Sequence, residues 1–183
     1  MITASAKKRE NIAEYVLYMW QIEDLIRAYG LDLDKIQENI IDRYADLSPQ
    51  QRREMRDWYE SLIDMMRREG VEKEGHLQIN RNTVADLEDL HRRLLKDPKF
   101  PKYAAEYYSV LPLIVELRAK SGENVKDEIE TCFNLLYGIL MLRMQGKEIS
   151  ADTAEAAKRV SRFLAMLSAY YKKDYNNELE FSE

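Results

Sequence analysis

The sequence predicts an all-α protein, a single-domain antiparallel bundle of six to seven helices. Three observations carry this. The chain has 6 Gly and 4 Pro in 183 residues, roughly half the ordinary usage, which leaves little room for the tight turns of an all-β fold. Five glycines, Gly30, Gly70, Gly75, Gly122 and Gly146, stand where helical patterns stop, and Gly just past a helix end takes the left-handed turn at no steric cost. No segment alternates apolar and polar residues for long enough to read as a strand.

The helices predicted are 7–29, 34–45, 49–69, 80–97, 100–120, 125–145 and 150–175. In the first, at 100° per residue, Ile12, Tyr15, Tyr18, Met19, Ile22, Leu25, Ile26 and Tyr29 form one wide apolar stripe, while Val16, Leu17 and Trp20 fall on the other side. Asp34 with Gln37 reads as the cap of the second. Ser48-Pro49-Gln50-Gln51 is a capping box with Pro at the first helical position, and it opens the third. The stretch 70–80, GVEKEGHLQIN, is expected to be a loop and a hinge.

The fifth helix contains Pro112, which removes one backbone donor and clashes with the carbonyl of residue 108. Either a kink there opens a tyrosine-lined pocket, or the proline starts a new segment. In the sixth, Asn124 is the expected cap, and the run from Cys132 to Met144 is apolar nearly all round, so burial on most sides is expected. Gly138 in its middle costs about 1 kcal/mol against Ala, which a close helix crossing would explain. Asn134 then needs an internal partner. Ser150 and Asp152 open the seventh. The first and sixth helices are expected at the centre. Residues 1–175 form the predicted bundle, and 176–183 an acidic tail expected to fray.

Net charge is −5 and evenly spread, −3 over residues 1–96 and −2 over 97–183. That is not the basic excess of a dedicated nucleic-acid binder. The single cysteine, Cys132, excludes an intrachain disulfide and sits in an apolar run, so a buried inert thiol is expected. The longest hydrophobic stretch, from Cys132 to Met144, is interrupted by Asn134 and Arg143 and falls short of the ~20 residues a membrane helix needs. The N-terminus lacks a secretory core. These features predict a cytoplasmic protein with no membrane contact. Twelve tyrosines favour polar-lined cores and contact surfaces.

The opening run KKRENIAEYVLYMWQIEDLIRAYGLDLDKI resembles a bacterial family catalogued as a domain of unknown function, number four-nine-two-four. The resemblance is clearest over residues 7–36. It implies an all-helical cytosolic protein and transfers no activity, substrate or cofactor.

Trp20, Glu23, Asp24 and Arg27 form the most suggestive cluster. They read either as an exposed recognition face, an aromatic platform beside paired charges, or as a helix covered on both sides with a Glu23–Arg27 i,i+4 pair. Glu88 and His91 match one Glu-x-x-His motif, but a di-metal bundle needs two, and Lys73 stands where His76 would need its glutamate. Glu88 is placed to pair with Arg92. There is no Gly-x-Ser-x-Gly, phosphate loop or dinucleotide fingerprint. Catalytic residues, metal and cofactors are therefore not expected. Basic runs recur at Lys7-Lys8-Arg9, Arg52-Arg53 with Arg56, Arg67-Arg68, and Arg92-Arg93 with Lys96; in the third helix Glu54, Asp57, Glu60, Asp64 and Glu69 interleave with the arginines, the pattern of a solvated, salt-bridged face. The reading that follows is a non-catalytic protein-interaction or scaffold module, possibly self-associating through helix one. Two alternatives stand beside it: an RNA- or DNA-associated module using the arginine pairs, and a small-ligand or enzymatic pocket lined by Tyr107, Tyr108 and His91.

Overall fold

Helix boundaries follow local chemistry. The computed structural model describes residues 2–120 and 126–182. Among these are eight α-helices, one short 3-10 turn and no strand: α1 Ile2–Glu10, α2 Ile12–Ala28, α3 Leu33–Asn39, the turn Ile41–Arg43, α4 Pro49–Glu69, α5 Gln78–Lys96, α6 Pro101–Lys120, α7 Glu128–Met144 and α8 Ala151–Tyr175. The protein is all-α, as the sequence predicts.

The first predicted helix is in fact two. Asn11 adopts an extended conformation (φ −151°), and its side chain accepts from the amides of Ala13 and Glu14. An asparagine in this role ends one helix and caps the next. The second predicted helix is shorter than expected. Its cap is Asp32, two residues before the predicted one, and the α-helix stops at Asn39 before the 3-10 turn. The capping box at Ser48 forms as read, with both reciprocal bonds. The expected stop at Gly122 and cap at Asn124 lie outside the described residues.

One apolar cluster runs from α1 to α8. Helices α2 and α5 pack against α7 and α8, α6 fills the side against α5, α7 and α8, and α3 with α4 forms a flanking pair. Helix α7 departs from expectation. Ile129, Cys132, Phe133 and Ile139 are buried, but Leu135, Leu136, Leu140, Met141 and Leu142 are only half-buried, and Met144 is 68% exposed. No close crossing occupies Gly138: a Cβ placed there would meet nothing within 4 Å. Asn134 is exposed and makes no hydrogen bond to any described residue, so it needs no internal partner.

The acidic tail does not hang loose. Ser182 donates from its amide (2.5 Å) and hydroxyl (2.9 Å) to the Asp97 carboxylate. Phe181 lies against Phe100 and beneath the Arg93 guanidinium, 4.2 Å from its carbon. The single aromatic in the tail supplies the apolar anchor its net charge obscured.

Candidate functional site

The polar residues of the opening helix pattern gather where α2 meets the segment after α4. Gly70, in the left-handed conformation (φ 70°), ends α4, and Val71 and Leu77 bury their side chains. The chain between them must then satisfy its backbone groups against a neighbour. Two side chains of α2 do so. Glu23, 0% exposed, accepts from the Leu77 amide (2.9 Å) and Asn80 Nδ2 (2.6 Å) through Oε1, and pairs with His76 Nδ1 at 2.6 Å through Oε2. Arg27 donates to the carbonyls of Val71 (3.0 Å) and Gly75 (2.5 Å) and to Asp24 at 2.7 Å. Asp24 in turn accepts from the Tyr137 hydroxyl of α7 at 2.6 Å, so α2, the 71–77 segment and α7 share one polar network. Burial, followed by the hydrogen bond to Asp24 and then its charge, pushes the Tyr137 phenol well up from its ordinary value.

Trp20 is 2% exposed. Its indole stacks on the His76 ring, centroids 4.1 Å apart and 12° from parallel, with Phe133 and Tyr137 edge-on. The cluster Trp20, Glu23, Asp24 and Arg27 is thus brought together, but as a brace between elements. Trp20 and Glu23 present no surface, so the exposed recognition face is corrected. The helix is covered on both sides, and the expected Glu23–Arg27 pair is replaced by Asp24–Arg27, because Glu23 is taken by buried donors. The segment read as a hinge is tied to α2 at both ends.

The predicted pocket of Tyr107, Tyr108 and His91 is also corrected. His91, 1% exposed, is enclosed by the rings of Tyr103, Tyr107 and Phe163, with centroids 5.8, 4.9 and 5.8 Å away. Rings fill the space where a cavity was expected. Its Nδ1 meets the Tyr103 hydroxyl at 2.7 Å and its Nε2 meets Glu128 at 3.4 Å. Burial lowers the pKa of His91 against the opposing pull of Glu128. Tyr108 turns outward, 63% exposed. Helix α6 runs unbroken through Pro112, and the Arg159 guanidinium donates to the carbonyl of Ser109 one turn before it. A cation from α8 thus meets the backbone of the turn that the proline disturbs.

Glu88 pairs with Arg92 at 3.4 Å, as expected, and also accepts from the Ile129 amide at 3.0 Å, which caps α7. Its pKa is raised, chiefly by burial. Cys132 is a free, buried thiol, and burial pushes its pKa well up, the state of an inert cysteine. The arginine pairs are largely engaged within the chain: Arg52 on the carbonyls of Leu47 and Tyr44, Arg56 on Asp34, Arg67 on the Leu31 carbonyl, Arg93 on Asp174. Among the described residues no group of three or more His, Cys, Asp and Glu is placed to hold a metal ion, and no helix is long and apolar enough to cross a membrane.

His76 is the member of the cluster that sequence reading missed. A lone histidine in a polar segment carries no signal of its carboxylate partner 53 positions away. The Glu23–His76 pair lies beside a cavity of about 140 Å³ lined by Trp20, His76, Arg81, Glu88 and Lys126 among others. Among the described residues no hydroxyl or thiol is hydrogen-bonded to His76. What it does chemically is fix the 71–77 segment and orient the imidazole.

The model of the family described as domain of unknown function DUF4924 matches residues 1–178. The chain belongs to that family. Searches of the curated proteins and of the solved structures found no match. Membership in the family thus accords with the all-helical fold and adds no chemistry to the brace.

Proposed function

We propose that the protein is a cytosolic, non-catalytic interaction module that self-associates through α7. The observation supporting this is the unused glycine. Gly138 costs about 1 kcal/mol in a helix interior, and among the described residues nothing comes within 4 Å of where its Cβ would stand, so the crossing that would justify it is assigned to a second chain.

The occupant is a second copy. Asn134, Gly138, Met141 and Gln145 lie on one face of α7, within about 60° of arc at 100° per residue. When two α7 helices meet antiparallel about a two-fold axis, Gly138 stands opposite Met141 and Asn134 opposite Gln145. Each Met141 enters the space above the other chain's Gly138, and the amides pair at both ends. The half-buried Leu135 and Leu142 flank this line. Such a patch is self-complementary, as an isologous contact requires.

The experiment is sedimentation velocity across concentration, on the wild type, Gly138→Leu and Met141→Glu. A dimer is expected for the wild type, weakened at least about tenfold in each variant. Gly138→Leu should at the same time raise monomer stability, since the added side chain meets open space and helix propensity improves. A wild-type protein monomeric at high concentration, or a dimer unchanged in both variants, would overturn the reading.

A further inference from the structure

A cleft of about 470 Å³ lies between the end of α8 and the α1–α2 junction, away from both the Glu23 brace and α7. One wall is a single face of α1 carrying Lys8 and Arg9. The other is a face of the last turns of α8 carrying Tyr171, Lys172 and Tyr175. Ile12 and Ser168 form the floor, stitched together where Ser168 Oγ accepts from the Ala13 amide at 3.3 Å. The size falls in the range of small-molecule sites, and the mixture of apolar wall and few polar groups is theirs too.

Charge gives the cleft its chemistry. Lys8, Arg9 and Lys172 contribute three positive groups against one acid, Glu10. The neighbouring cations Lys7 and Arg93 are neutralised by Glu14 and Asp174. Lys8, Arg9 and Lys172 form no ion pair with any described residue; Lys8 rests only over the Tyr15 ring, 5.3 Å from its centroid. Three exposed cations that line one cleft without an acid partner attract an anion to it. The negative ends of α1 and α8 and the positive end of α2 all reach the cleft, so the helix ends do not themselves attract an anion and the side-chain cations must supply the attraction.

The tyrosines add aromatic surface. Tyr171 and Tyr175 stand at i and i+4 on α8, so both lie on the face that lines the cleft. Tyr175 is among the most exposed large apolar side chains, and Tyr171 is half-buried. The far side of the same two residues is acidic, with Asp86 and Asp89 beside the Arg93–Asp174 pair. An anionic group is therefore directed to the α1 side, and a ring system to the tyrosines.

We infer that this cleft binds a nucleoside phosphate, with the base stacked on Tyr171 and Tyr175 and the phosphate held by Lys8, Arg9 and Lys172. Base–aromatic stacking is sequence-tolerant, so the site selects for phosphate joined to a flat ring and not for one base.

The test is calorimetric titration of the full chain with AMP, adenosine and pyrophosphate at low and moderate salt. AMP should bind, with adenosine and pyrophosphate each at least about tenfold weaker, since each supplies half of the recognition. Raising the salt should weaken AMP binding. Arg9→Glu and Tyr175→Ala alter exposed side chains, leave the core intact, and should each lower AMP affinity at least about tenfold. Absence of AMP binding up to about 2 mM, pyrophosphate or adenosine binding as tightly as AMP, or unchanged affinity in Arg9→Glu would each overturn the assignment. Neither variant touches α7, so dimerisation and nucleotide binding stand or fall separately.

Discussion

Replacing Glu23 with Ala tests the brace directly. Two of its donors, the Leu77 amide and Asn80 Nδ2, belong to buried residues. A buried donor left without an acceptor costs about 1–3 kcal/mol. His76 is about a quarter exposed at its side chain and turns to water at little cost. Removing the buried stem adds about 1 kcal/mol. The sum is roughly 3–7 kcal/mol, a large share of the 5–15 kcal/mol typical of a folded domain. For a chain of this size that lowers Tm by roughly 6–28 °C. Glu23→Gln keeps the shape and one acceptor oxygen, so it should lose only about 1–2 kcal/mol. Urea denaturation gives the free energies, and amide hydrogen exchange at Leu77 reports the local bond. The order wild type, Gln, Ala is expected in both. A Glu23→Ala protein within about 1 kcal/mol of wild type, with Leu77 still protected, would refute the reasoning, because it would mean the buried donors find other partners.

Two further predictions concern the ends of the chain. Asn11→Ala removes the cap that separates α1 from α2 and should cost about 1 kcal/mol, a Tm drop of roughly 2–4 °C with faster exchange at Ala13 and Glu14; an unchanged Tm would count against the cap. The Asp97 pKa is held below the ordinary carboxylate range, first by the Lys99 amide and then by Ser182. Its folded pKa lies below the unfolded value of about 3.9, so its contribution is present above that value and is lost as pH falls through the folded pKa. The tail should therefore detach on acidification, and Asp97→Ala should release it at neutral pH. Proteolysis within 176–182 reads both, and equal resistance in the variant and the wild type would contradict the docking.

The sites show where the sequence was legible. Trp20, Glu23, Asp24 and Arg27 stood out because a tryptophan beside three charges on a mostly apolar helix demands an explanation. Their pairing was not readable: an i,i+4 rule favours Glu23–Arg27, yet a carboxylate facing buried amides from residues 76–80 is better satisfied there. His91 and Tyr107 were rightly associated and wrongly placed around a cavity, because ring packing depends on Phe163 from a distant helix. The tail was misread because a docked phenylalanine is invisible in the average charge of its neighbours.

By itself the sequence determined the helical class and most helix ends, though not the break at Asn11 or the early end of α3. Caps, glycine stops, prolines and a 3.6-residue apolar period act within a few residues, so they can be read along the chain; Ser48 with Gln51 and Gly70 formed as written. Only the tertiary structure decided which faces are covered. It buried Trp20, left the apolar α7 half open, and brought Lys8 and Arg9 against Tyr171 and Tyr175 across more than 160 positions. Burial is a property of neighbours far apart in sequence, and local pattern holds no record of them.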